Sequence, residues 1–141
     1  MLMPDVNVLI NAYQNEPGKD ERYFEWVMRM ATGFEPFALS ELVLQSYVRV
    51  VTNPKAMQKP LVPSEAFAFV DALANRPHCR VVRAGPRHWE IFRRLCLTRN
   101  VRGPMVSDVA HAAIAIETGC EWVTGDTDFA RFAPELRWRL L

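Results

Sequence analysis

The chain opens on an apolar run, Met1-Leu2-Met3-Pro4, meets one carboxylate at Asp5, and resumes as Val6-Asn7-Val8-Leu9-Ile10. A short apolar segment followed directly by a second one predicts a buried strand running into a helix. Asp5 then sits at the carboxyl end of the strand, the edge where open α/β sheets bind ligands. A charge flanked by apolar residues is costly to bury without partners. Pro4 has no donor for a strand ladder and is tolerated only if the strand's hydrogen bonding ends there.

The same alternation continues downstream. Tyr23, Phe24, Trp26, Val27 and Met30 have the spacing of an amphipathic helix over residues 20–31, closed near Gly33. Phe37-Ala38-Leu39 predicts a strand, with Ser40 as N-cap and Glu41 in the first turn of a helix that stops at Asn53-Pro54. Residues 57–63 read as a loop, and Pro63-Ser64-Glu65 opens the next helix. Arg80 to Arg83 predicts a strand, broken by Gly85-Pro86, and Trp89, Phe92, Leu95 and Cys96 give the following helix its buried stripe. After a polar loop from Arg99 to Pro104, Ser107-Asp108 opens an Ala-rich helix over residues 109–118, ended by Gly119. Glu121 to Thr124 is a strand leading into Gly125-Asp126-Thr127-Asp128, and residues 136–140 form a last edge strand.

Strands alternating with helices predict a three-layer α/β/α fold around a mostly parallel sheet of four to five strands. With no linker, repeat or low-complexity stretch, residues 1–141 read as one domain. A length of 141 residues and 50% hydrophobic content suffice for a sizeable core. No apolar run approaches the roughly 20 residues of a membrane span, and the start lacks a secretory signal, so a cytoplasmic location is expected. Cys79, Cys96 and Cys120 are widely spaced and form no C-x-x-C pair, which argues against zinc and for buried, reduced thiols. Net charge of +1 says little about partners, although every cation except Lys19, Lys55 and Lys59 is Arg.

Right-handed crossovers in a parallel sheet bring strand ends and the following helix starts to one edge. Asp5, Glu41 and Asp126 therefore share a rim, and Asp108 joins them if its helix starts there. Taken singly, each is explained by helix capping; together they are not. Clustered carboxylates raise one another's pKa unless a cation intervenes. Oxygen ligands without Cys or clustered His select Mg²⁺ or Mn²⁺, and such an ion supplies a water nucleophile.

The quoted runs carry a resemblance. Pro4-Asp5-Val6-Asn7-Val8-Leu9-Ile10, Ser40 to Ser46 with Arg49 to Pro54, Asp108 with the helix after it, Thr124 to Phe129, and Leu136-Arg137-Trp138 resemble, in order, the motifs of PIN-domain nucleases. The likeness spans nearly the whole chain and is nearest to VapC-type toxins of bacterial toxin–antitoxin pairs. It implies a Mg²⁺- or Mn²⁺-dependent endoribonuclease acting on tRNA or rRNA, a homodimer, and inhibition by a cognate antitoxin. It makes Asp5, Glu41, Asp108 and Asp126 the acidic quartet and Asp128 an accessory carboxylate. Asn7 is expected to orient Asp5. Ser107 is expected to cap the helix or touch a metal water or phosphate. His111, one turn beyond Asp108, is placed to orient it, and Arg93, Arg94, Arg99 and Arg102 are candidate RNA contacts. Two rivals remain. A dehalogenase-type phosphatase would need its Asp-x-Asp pair after the first strand and a Lys downstream; here the pair, Asp126-Thr127-Asp128, comes late and no Lys follows Lys59. A non-catalytic RNA- or protein-binding module on the same fold does not explain the acidic set.

Overall fold

The computed structural model describes all residues, 1–141. Five parallel strands form one sheet in the order β3-β2-β1-β4-β5. They are β1 (Leu2–Pro4), β2 (Phe37–Ser40), β3 (Cys79–Val82), β4 (Glu121–Thr124) and β5 (Trp138–Leu140). The helices are α1 (Val6–Tyr13), α2 (Arg22–Thr32), α3 (Glu41–Val51), α4 (Pro63–Ala74), α5 (His88–Thr98) and α6 (Met105–Thr118), with a 3₁₀ helix at Thr127–Phe132. Helix α1 packs on α2 and α3, α3 on α4, and α5 on α6. The result is the three-layer fold predicted, with a sheet that is wholly parallel. No helix is long and apolar enough to cross a membrane.

The central strand explains Pro4. The Asp5 N–H donates to the Val123 carbonyl of β4 at 2.8 Å. Successive amides point to opposite sides of a strand, so the nitrogen of Pro4 faces β2. There the ladder has already ended, because Leu2↔Phe37 is the sole register pair between β1 and β2. Proline thus sits where no donor is required.

The core is formed by Met3, Leu39, Tyr47, Ile91, Leu95, Trp122, Phe129 and Phe132, all essentially without solvent exposure. Each strand supplies little area, and the helices close over both faces. Gly119 adopts φ +68°, the left-handed conformation expected of a residue ending a helix.

Three sequence-based expectations need correction. Trp89 is not core but 69% exposed, whereas Trp122 is fully buried. Among the cysteines only Cys120 is buried; Cys79 and Cys96 are half-buried. Helix α6 starts at Met105, not at Ser107-Asp108, with Pro104 at the cap and no side-chain cap. Gly103 turns with φ +60°. Pro104 then supplies a helix-compatible φ of −58° and needs no intrahelical donor, so the helix gains a turn.

Candidate active site

Asp5 lies where β1 becomes α1, and its environment answers how the charge is held. It is the N-cap of α1: one carboxylate oxygen accepts the Val6 N–H at 2.6 Å. The other accepts from the Thr124 hydroxyl at 2.6 Å and from the Asn7 amide at 3.0 Å. Thr124 ends β4, the neighbouring strand. Its hydroxyl also accepts the Asp126 N–H at 3.0 Å, and the Asn7 carbonyl oxygen accepts the Gly125 N–H at 3.0 Å. The ends of the two central strands are therefore tied together by side chains, with Thr124 and Asn7 both hydrogen-bonded to Asp5. Asp126 in turn caps the 3₁₀ helix by accepting the Asp128 N–H at 2.8 Å.

A cleft of about 240 Å³ opens above this junction. Asp5, Asn7, Ser107, Asp108 and Asp126 line it, together with Ser46, Arg49 and His111. Three carboxylates, from the β1–α1 junction, α6 and the turn after β4, thus line one cleft; Glu41, expected on the same rim, does not. Burial pushes Asp5 up to about 6; its Thr124 and Val6 hydrogen bonds oppose the shift, while Asp108 and Asp126 reinforce it. Asp108 is also raised, chiefly by burial and then by Asp126 and Asp128, with Arg131 partly offsetting them.

Glu41 stands apart. It opens α3 under the Ser40 cap, whose hydroxyl accepts the Val43 N–H at 3.1 Å. Its carboxylate is held by Arg83 at 2.6 Å and lines the adjoining hollow between α3 and α4, not the acidic cleft. Asp128 is exposed and does not line the cleft either. Ser107 lines the cleft from within the first turn of α6, so its expected capping role does not hold.

His111 makes no hydrogen bond to Asp108. Its ring stacks on Trp122 with centroids 5.7 Å apart. Its Nδ1 is buried and unpartnered. Burial, aided by the Arg49 charge, lowers its pKa to about 4, so the ring is neutral at physiological pH. His88, without an assigned partner in sequence, meets the Ala110 carbonyl at 3.0 Å.

None of the four predicted RNA-contacting arginines lines the cleft. Arg94 is paired with Glu135 and Glu90, Arg99 donates to the Ala133 carbonyl at 3.4 Å, and Arg102 donates to Asn100 at 3.4 Å. Arg93 is exposed and unpaired. Sequence reasoning missed Thr124, Ser46 and Arg49. The last two are three residues apart on α3, and Arg49 follows Glu41 by two turns. That helical spacing was the available signal.

No three His, Cys, Asp or Glu side chains converge closely enough to cage an ion unaided. The donor set nonetheless suits a hard divalent cation that keeps part of its water shell. The carboxylates are oxygen donors, and the buried His111 Nδ1 has a hydrogen-bonding capacity that no protein group satisfies.

The PIN domain family pattern matches residues 2–134, and the chain belongs to this family. Ribonuclease VapC43 of Mycobacterium tuberculosis is 38% identical over 139 residues, covering 99% of this chain and 94% of that protein. Ribonuclease VapC25 of the same organism is 36% identical over 133 residues, covering 94% of each. The fold is shared with VapBC2 from Rickettsia felis, solved bound to a DNA fragment from its promoter. That structure superposes with a TM-score of 0.70 at 18% identity, covering 99% of this chain and 97% of the other.

Proposed function

We propose that this chain is a metal-dependent endoribonuclease that hydrolyses RNA phosphodiester bonds, with tRNA or rRNA as substrate, and acts as the growth-inhibiting toxin of a toxin–antitoxin pair. The observation that carries the reading is the convergence of Asp5, Asp108 and Asp126, from three separated stretches of chain, on one cleft. The names of the mycobacterial relatives support the same activity. A bare acidic cleft repels RNA, so the arrangement is useful to a nuclease only with a cation.

Asp5, Asp108 and Asp126 are the proposed ligands of Mg²⁺ or Mn²⁺, with Glu41 and Asp128 as outer members of the set. The ion supplies charge neutralisation at the phosphate and acidifies a water. The chain's own groups do the rest. Thr124 and Asn7 fix the Asp5 carboxylate, so no reorientation is needed when substrate arrives. Neutral His111 and Ser107 offer hydrogen bonds to water at the cleft wall. Glu41 joins only after leaving Arg83. The protein is proposed to be a cytoplasmic homodimer, independent of membranes, whose cognate antitoxin covers the acidic rim.

Expression of the wild type beside Asp5→Asn, followed by sequencing of RNA 5′ ends, tests the reading. Discrete cleavage sites that appear only with the wild type, and vanish in chelator when the purified protein is used, are expected. Identical RNA ends from both proteins would reject it.

A further inference from the structure

The acidic cleft does not end at its carboxylates. Arg49 lines it and also lines a second hollow, of about 530 Å³, between α3 and α4. Arg49 is the one residue that borders both. The larger lies within the roughly 300–1,000 Å³ typical of small-molecule sites.

Two features of Arg49 matter. It is the only Lys or Arg lining the acidic cleft. It also forms no ion pair and no hydrogen bond, whereas Arg22, Arg83, Arg94 and Arg139 are all engaged by carboxylates. An exposed guanidinium beside three carboxylates, yet bound to none, is free for an incoming anion. Its planar fork suits a phosphate.

The second hollow offers what a base needs. Helix α4 buries Ala66, Val70 and Leu73, and Phe67, at the edge of that buried stripe, is 51% exposed at the wall of the hollow. Gln45 of α3 and Asp71 of α4 also line it with hydrogen-bonding groups. An exposed aromatic face beside a cation is the combination that single-stranded nucleic acid uses, with bases stacking while the backbone tracks positive charge.

We infer that the α3–α4 hollow is a nucleotide subsite for single-stranded RNA, in which Arg49 holds the phosphate next to the bond to be cut and Phe67 stacks the adjoining base. This inference rests on the ribonuclease reading and extends it to where the substrate strand leaves the cleft. A protein segment would use the apolar wall of the hollow but would have no need of Arg49 at its junction with the acidic cleft.

The test measures binding and cleavage separately. Binding of a fluorescein-labelled, random-sequence single-stranded RNA is followed by anisotropy in the Asp5→Asn background across a salt series. Adding Arg49→Gln, which keeps helix propensity, is expected to reduce the slope of log affinity against log salt by about 0.7, the single-strand value for one phosphate contact. Arg49→Lys restores that slope. Phe67→Ala is expected to weaken binding about fivefold or more, and Phe67→Trp to hold it. In the otherwise wild-type protein the same losses appear in KM more than in kcat. Unchanged RNA affinity and salt slope in Arg49→Gln would overturn the subsite. So would a Phe67→Ala variant that alters oligomeric state in sedimentation while leaving RNA affinity intact, since it would assign the hollow to a second copy. If the wild type cleaves nothing but the binding losses appear as described, the ribonuclease reading fails, and with it the place of Arg49 beside a cleaved bond, while the hollow remains an RNA-binding site.

Discussion

Replacing Asp5 by Asn should stabilise the metal-free protein at neutral pH and lose that advantage in acid. Burial moves the Asp5 pKa from 3.8 to about 6. A raised pKa in the folded state means that folding favours the protonated carboxyl. The stability associated with Asp5 is therefore greatest below about 3.8, falls as pH rises from 3.8 to about 6, and stays low above that. The shift of about 2 units corresponds to about 3 kcal/mol at pH 7.5. Asparagine removes the charge but cannot accept from the Asn7 amide or the Thr124 hydroxyl at the oxygen it replaces, a loss of about 2 kcal/mol. The expected net gain is about 1 kcal/mol at pH 7.5 in EDTA, becoming a deficit of about 2 kcal/mol near pH 3.5. Urea unfolding followed by tryptophan fluorescence at both pH values reads the difference. Adding Mg²⁺ should stabilise the wild type and leave the variant unchanged. A variant that is less stable at pH 7.5 in EDTA, or an offset independent of pH, would refute this account of how the carboxylate is held.

Three other substitutions probe the same site. Asp108→Asn should match or exceed wild-type stability without metal and abolish cleavage by more than the roughly 10–100-fold typical of second-shell changes; a large loss of stability in urea would instead show a structural role. Thr124→Val removes the hydroxyl shared by Asp5 and the Asp126 amide, so it should cost about 1–3 kcal/mol and lower cleavage about 10–100-fold, measured by urea unfolding and by initial rates on RNA. Arg83→Met frees Glu41; because that ion pair is largely exposed, Mn²⁺ affinity by calorimetry should rise by no more than about fivefold. A fall in affinity would mean that Arg83 supports the site.

Asp5, Asp108 and Asp126 were legible as a site because their convergence follows from topology. A parallel sheet with right-handed crossovers delivers strand ends and helix starts to one edge, whatever the packing details. Glu41 was legible in its place but not in its contact. A residue two turns along the same helix, Arg49, was overlooked because its helical spacing from Glu41 is a weak signal until the cleft it lines is seen. The four arginines singled out before Asp108 shared proximity in sequence, yet three of them are engaged away from the cleft.

By itself, the order of apolar and polar residues determined the strands, most helix ends and the acidic rim. These depend on backbone periodicity, capping and chain direction, which act over a few residues. Only tertiary structure decided that Thr124 ties Asp126 to Asp5, that Arg83 holds Glu41, that Trp89 faces solvent and that Arg49 bridges two hollows. Each of those outcomes depends on which side chains meet across elements remote in sequence, where distance and burial set the energies.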